Sequence, residues 1–173
     1  MSITREFTCF DLLKINNVNL DPLTENFGLP FYLQYLTKWP EMFQVNETIS
    51  GRFKGYIMAK VEGNKENWHG HVTCLSVAPE FRRQGVSRLL MNEFEKISEI
   101  KNSWFCDLFV RVSNKIAFDM YTKFGYTVYR RVLDYYTGEN DEDAFDMRKA
   151  MPRDLEKKSI IPLPHPVTAD ELD

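Results

Sequence analysis

The stretch Leu75-Ser-Val-Ala-Pro79-Glu-Phe-Arg82-Arg83-Gln84-Gly85-Val86-Ser87-Arg88 has the pattern with the clearest chemical meaning in the chain. An extended apolar run delivers the backbone into a polar turn, and the turn opens a helix whose first N–H groups have no partner within the helix. Those donors, the positive end of the helix and a glycine that keeps side chains out of the way together suit an anion. Arg82, Arg83 and Arg88 add positive charge. Neither the Gly-Lys-Ser/Thr of a nucleoside-triphosphate loop nor the Gly-x-Gly-x-x-Gly of a dinucleotide turn is present. The expected ligand is the pyrophosphate of another carrier.

If the run from His69 to Val77 alternates as a strand, His69, His71, Thr73, Leu75 and Val77 share one face whose later members approach this turn. A histidine in such a row is often structural. Downstream, Ser113 or Asn114 can cap a helix carrying Ala117, Met120, Tyr121 and Phe124, closed by Gly125. Tyr121 on that apolar face has the place of a core residue with its hydroxyl at the rim. A metal is not expected: His69 and His71 are the only close pair of nitrogen ligands, and no Cys-x-x-Cys or His-Glu-x-x-His spacing occurs. Cys9, Cys74 and Cys106, an odd count in apolar surroundings, read as buried reduced thiols.

These residues must be held by regular elements. A strand over residues 3–7 leads to a helix that starts at Thr8 and runs through Val18; an aromatic helix carries Phe31, Tyr32, Tyr35, Leu36 and Trp39 and stops at Pro40. From Phe43 to Val61 two extended runs flank Ser50-Gly51, a hairpin signal, and the His69–Val77 strand follows. Val86, Leu89, Leu90, Phe94 and Ile97 recur at helical spacing up to about Ile100. Trp104–Val112 is an almost continuous apolar strand, hence covered on both faces. Two last strands, Tyr126–Tyr136 and Ala144–Lys149, surround the acidic loop Gly138–Asp143. Strand-helix-strand units require crossovers and the hairpins require antiparallel pairs, so an α/β (α+β) fold is expected, with a mixed central sheet of about seven strands and about four helices.

The chain has 173 residues and 43% hydrophobic content, enough for one domain over residues 1–151. Residues 152–173 hold four of the eight prolines and read as an extended C-terminal tail, although Ile160, Ile161, Leu163 and Val167 are apolar for a free one. The net charge of -3 argues against generic nucleic-acid binding, which rests on Lys and Arg neutralising phosphate. No apolar run approaches the roughly 18 residues of a membrane helix and the N-terminus lacks a signal-like apolar region, so a cytoplasmic protein without a membrane contact is expected.

Arg82-x-x-Gly85-x-Ser87 after a strand resembles the acetyl-coenzyme A signature Gln/Arg-x-x-Gly-x-Gly/Ala of the GCN5-related N-acetyltransferases, with Ser87 where glycine or alanine is usual. Arg111-Val-Ser-Asn114 with Ala117, Tyr121 and Gly125-Tyr126 resembles the second signature of that family. Asn19-Leu-Asp-Pro22 with Glu25, Pro30-Phe-Tyr-Leu-Gln-Tyr-Leu36, Trp68-His-Gly-His-Val-Thr73, Tyr135-Tyr136, residues 143–149 and Glu156–Pro166 are similar to the branch formed by catalytic subunits of N-terminal acetyltransferase B complexes. Phe27 departs from it, since relatives often place tyrosine there.

The resemblance implies acetyl-coenzyme A as cosubstrate and a site for it: Leu75, Ser76 and Val77 along the pantetheine arm, Arg82, Arg83, Gln84, Gly85, Val86 and Ser87 around the diphosphate, and Asn114 on its polar groups. Tyr121 would lie beside the sulfur, where a phenol of pKa about 10 can protonate a thiolate whose thiol has a pKa of about 8.5. For the peptide it implies Glu25 at the incoming backbone or amine, Phe27, Gly28, Tyr135 and Tyr136 around the initiator Met, Phe109 on the floor, and His71 and Thr73 flanking the acceptor. His71 would either accept the amine proton through water or read the side chain after Met; reading is favoured. The implied acceptors are nascent N-termini beginning Met-Asp, Met-Glu, Met-Asn or Met-Gln, met in complex with a large helical-repeat auxiliary subunit at the ribosome. A lysine or small-amine acceptor, or a non-catalytic module that binds coenzyme A, are the alternatives.

Overall fold

The computed structural model describes residues 2–22, 24–138 and 141–172, so the expected loop Gly138–Asp143 lies partly outside the described residues. The chain falls into two compact units, Met1–Lys60 with Val72–Ile97, and Val61–His71 with Ser98–Asp173.

The first unit contains β1 (Ser2–Glu6), a 3-10 turn (Cys9–Leu13), α1 (Asn16–Asn19), α2 (Leu29–Lys38) and β2 (Phe43–Thr48), with most of β3 (Phe53–Glu62), β4 (His69–Val77) and α3 (Val86–Ile100). β1 and β3 both pair antiparallel with β2. Gly51, at φ +80°, donates its N–H to the Thr48 carbonyl at 2.9 Å and closes the expected hairpin. Its core is aromatic: Phe7 stacks on Phe43 at 4.2 Å, and Phe53, Tyr56, Tyr32 and Tyr35 are buried around them.

The single helix expected from Thr8 to Val18 is two short pieces. Asp11 is the cause: it turns inward, receives Arg5 at 2.7 and 3.0 Å and accepts from the Thr8 N–H at 2.8 Å. That holds the turn in tight three-residue bonding, with the Lys14 N–H on the Asp11 carbonyl. Ile15 and Val18 then begin a new buried face, and Leu13 is left exposed.

The second unit contains β5 (Phe105–Arg111), α4 (Lys115–Lys123), β6 (Thr127–Tyr136), β7 (Glu142–Ala150) and β8 (Val167–Thr168). Their order is β5-β7-β6-β8. β7 runs antiparallel to both neighbours, so β5 and β6 are parallel and joined by the α4 crossover; β8 is parallel to β6. The pairing is mixed, as expected. Among the described residues there are eight strands, and the one unforeseen is β8, whose two residues are too few to show alternation. The proline-rich tail lies along β6, where the Leu163 N–H donates to the Tyr129 carbonyl at 2.8 Å. Cys74 and Cys106 are buried thiols as expected, but Cys9 is exposed because the broken first helix leaves it on the outer side.

Candidate active site

The turn after β4 has the backbone needed for an anion. Arg83 and Gly85, on either side of Gln84, sit at φ +61° and +81°, and α3 starts directly after them. Left-handed residues in such a turn direct successive N–H groups to one concave side. The first intrahelical bond is Leu89 N–H to the Gly85 carbonyl at 3.1 Å, so the N–H groups of Val86, Ser87 and Arg88 precede the ladder. A Cβ at Gly85 would meet nothing within 4 Å, which leaves open space directly over the cradle. These features fit the diphosphate of coenzyme A.

Arg82 has a structural part as well. Its Nε donates to the Val77 carbonyl at 3.1 Å and its terminal nitrogen pairs with Asp21, so its side chain fastens the turn to the end of β4. Gln84 likewise donates back to the Glu80 carbonyl at 3.0 Å. Arg82 and Arg83 are both exposed.

On β4 the alternation is as expected, with Gly70, Val72, Cys74 and Ser76 buried and His71, Thr73, Leu75 and Val77 partly exposed. The Thr73 hydroxyl lies 2.6 Å from that of Tyr35. Ser76 turns its Oγ toward Cys74 at 3.4 Å, so only its backbone is left for a pantetheine arm. Burial pushes the Cys74 thiol up, away from reactivity. Phe27 stacks on Phe31 at 4.7 Å and meets Tyr32 edge-on, Gly28 precedes α2 in ordinary extended conformation, and Glu25 is exposed.

The second unit gathers four expected peptide-binding residues. The ring of His71 is 5.7 Å from that of Phe109; Phe109 stacks on Tyr135 at 4.6 Å, and Tyr135 meets Tyr136 edge-on at 5.0 Å. The Tyr136 hydroxyl donates to the Phe109 carbonyl at 3.4 Å, and the Arg111 guanidinium covers its ring at 3.9 Å. His71 is anchored by Asp107, whose Oδ1 is 2.8 Å from its Nδ1. Burial raises the Asp107 carboxyl, but the charge and hydrogen bond of His71, with His69 and Arg148, hold it below the ordinary carboxylate range. An ionised carboxylate only accepts, so the His71 Nδ1 carries a proton.

Asn114 caps α4 by accepting the Ala117 N–H at 3.1 Å, which leaves its amide N–H groups for a ligand. Tyr121, 8% exposed, is set by edge contacts with Phe124 and Tyr126. Three positioning residues escaped the sequence reading: Asp21 on Arg82, Tyr35 on Thr73 and Asp107 on His71. Only Asp107 left a signal, as the lone carboxylate inside an apolar strand.

Residues 12–126 match the Acetyltransferase (GNAT) family. The chain belongs to this family of acyltransferases. More particularly, it is 59% identical to N-alpha-acetyltransferase 20 of Dictyostelium discoideum over 174 residues, 100% of this chain and 99% of that protein. It is 56% identical to the N-terminal acetyltransferase B complex catalytic subunit NAA20 of Arabidopsis thaliana, over the same shares. Its fold matches that of Chaetomium thermophilum Naa20, solved in complex with a bisubstrate analogue, with a TM-score of 0.91, 42% identity and 97% of both chains covered.

Proposed function

We propose that this chain transfers acetyl from acetyl-coenzyme A to the α-amine of N-termini beginning Met-Asp, Met-Glu, Met-Asn or Met-Gln, as the catalytic subunit of an N-terminal acetyltransferase B complex. The likeness to such subunits over the whole chain supports it. The observation that carries the substrate reading is the array His71–Phe109–Tyr135–Tyr136 with Asp107 behind it. Apolar rings suit a Met side chain, and an imidazole held from behind suits the oxygen that Asp, Glu, Asn and Gln all present at their side-chain ends.

The carrier supplies an activated acetyl thioester. The N–H groups around Gly85 and at the start of α3 hold its diphosphate, and the backbone of Leu75–Val77 aligns its arm. Tyr121 gives its hydroxyl proton to the departing thiolate, and Asn114 holds the carrier's polar groups. An α-amine of pKa about 7.7–8.0 is neutral in about a tenth of molecules near pH 7, so a strong base is not required. Placing the two reactants together contributes up to about 7–11 kcal/mol, more than proton transfer does. Glu25 meets the amine, Phe27 and Gly28 border the Met, and Thr73 flanks the acceptor.

In this proposal the auxiliary subunit, a large helical-repeat protein that carries the enzyme to the ribosome in the cytoplasm, docks on the early helical segments. Phe10, Leu13 and Leu20 are 73%, 80% and 80% exposed there, and Leu29 and Leu33 of α2 are exposed as well. Tyr32 and Tyr35 face the core, so that surface is chiefly aliphatic. Among the described residues no helix is long and apolar enough to cross a membrane. Residues 1–151 constitute the catalytic domain and 152–173 the tail.

The assembled complex should acetylate synthetic Met-Asp and Met-Asn peptides and leave Met-Leu and Ser-initial peptides unmodified. Equal rates on all of these, or transfer to lysine in a peptide with a blocked α-amine, would overturn the proposal.

A further inference from the structure

β3 ends at Glu62, and the chain returns through Gly63 into β4, which opens at His69. Gly63 is at φ +90° and any side chain there would collide with the Asn67 carbonyl, so the tight return depends on glycine. The return sets the Asn67 oxygen 2.6 Å from Nδ1 of His69, whose ring lies flat on Phe105 at 4.6 Å and is 7% exposed. His71, two residues on, has its own Nδ1 on Asp107. Both imidazoles are thus oriented through Nδ1, one by a carbonyl and one by a carboxylate, and Nε2 is the second nitrogen of each ring.

This is the support that ligating histidines receive in metal sites, where the second ring nitrogen is tied to a carbonyl or a carboxylate. A carboxylate accompanies them. Nε2 of His69 is 3.8 Å from Glu62 Oε1 and 3.6 Å from Asp107 Oδ2. Those distances are too long for good hydrogen bonds. The one between two of the ligand atoms, His69 to Glu62, is near the edge of a tetrahedron drawn around an ion with bonds of about 2.0–2.1 Å, which is about 3.4 Å. One ligating atom each from Glu62, His69 and His71 lies within 4.8 Å of the other two. Two imidazoles and a carboxylate form a donor set suited to zinc and its neighbours rather than to magnesium or calcium.

We propose that Glu62, His69 and His71 bind one divalent transition-metal ion of the zinc class, with Asn67 and Asp107 orienting the two imidazoles. Acetyl transfer does not use the ion. Its occupancy takes the His71 imidazole away from the acceptor peptide, so the ion is a reversible inhibitor. This second part rests on the reading of His71 as a peptide-facing residue.

The test uses the assembled complex stripped with a chelator. Titration with Co2+ should produce visible ligand-field absorption that saturates and is displaced by Zn2+. Complexes carrying Glu62→Gln or His69→Gln should bind at least about tenfold more weakly, with unchanged circular-dichroism melting. Glu62 is partly exposed, so its replacement keeps the test valid even if His69→Gln fails to fold. No absorption from the wild-type complex, or equal affinity in the wild-type and Glu62→Gln complexes, overturns the site. Zn2+ at the filling concentration should abolish acetylation of a Met-Asp peptide and chelator should restore it. Glu62→Gln should keep its uninhibited rate and need at least about tenfold more Zn2+ for inhibition. A filled site with undiminished turnover overturns the inhibition and leaves the metal site standing.

Discussion

The hydroxyls of Tyr35 on α2 and Thr73 on β4 are 2.6 Å apart, so a buried helix residue fixes the rotamer of a strand residue proposed to flank the acceptor amine. Tyr35→Phe keeps the packing and removes the bond. A loss of about 1 kcal/mol is expected, or about 2–4 °C in Tm. KM for the acceptor peptide should rise while KM for acetyl-coenzyme A stays constant. Thr73→Val should do the same, and the double variant should be no worse than either single one, as a double-mutant cycle on the complex will show.

Asp107→Asn preserves an acceptor for His71 but removes the buried negative charge that faces both histidines and Arg148. Charge-assisted bonds are roughly twice as strong as neutral ones. Met-Asp and Met-Glu peptides should therefore lose about tenfold more kcat/KM than Met-Asn and Met-Gln peptides. Equal losses across the four would mean that Asp107 acts only through stability.

Gly85→Ala adds a methyl group where space is open but φ is +81°. The backbone strain costs about 1–2 kcal/mol. Calorimetry should show affinity for coenzyme A weakened about tenfold or more, because the new atom occupies the space above the N–H cradle. A variant that merely melts a few degrees lower, with unaltered affinity, would remove the diphosphate from this turn.

Tyr121→Phe leaves the edge contacts with Phe124 and Tyr126 in place. Loss of a proton donor should lower kcat by about 10²- to 10⁴-fold with little change in either KM. Single-turnover acetylation separates this from slow product release.

Acid should weaken the first unit through Asp11. Burial by itself raises this carboxyl, but the Arg5 guanidinium and the Thr8 N–H hold it below the ordinary range. A depressed folded pKa means stability that is present above the unfolded value of about 3.9 and is lost as pH falls through the folded value. Urea midpoints of the complex should fall below about pH 4, and Asp11→Asn should flatten that acid limb while lowering the midpoint at neutral pH.

The β4 alternation, the helix after Gly85, the cap at Asn114 and the mixed pairing were legible because each rests on periodicity or on a residue with few conformational options. The contacts of Arg82 with Val77 and Asp21 were not legible, because a charge near a phosphate turn looks the same in sequence whatever it pairs with. Tyr35, Asp21 and Asp107 act through contacts 36 to 61 residues away in sequence, which no local pattern encodes. Asp11 shows the same limit, since its capping-box spacing suggested a helix and its partner Arg5 turned it into a break.

The tail beside β6 also governs how the molecule behaves in a crowded solution. An open strand margin invites another chain to zip onto it. Along an extended segment successive N–H groups point to opposite sides, and Leu163 directs its own inward to Tyr129. The neighbours that would point outward are Pro162 and Pro164, which have no N–H to offer. The outermost backbone is thus blunted against edge-to-edge aggregation, and a chain shortened before Ile161 should lose that protection and precipitate at concentrations the full chain tolerates.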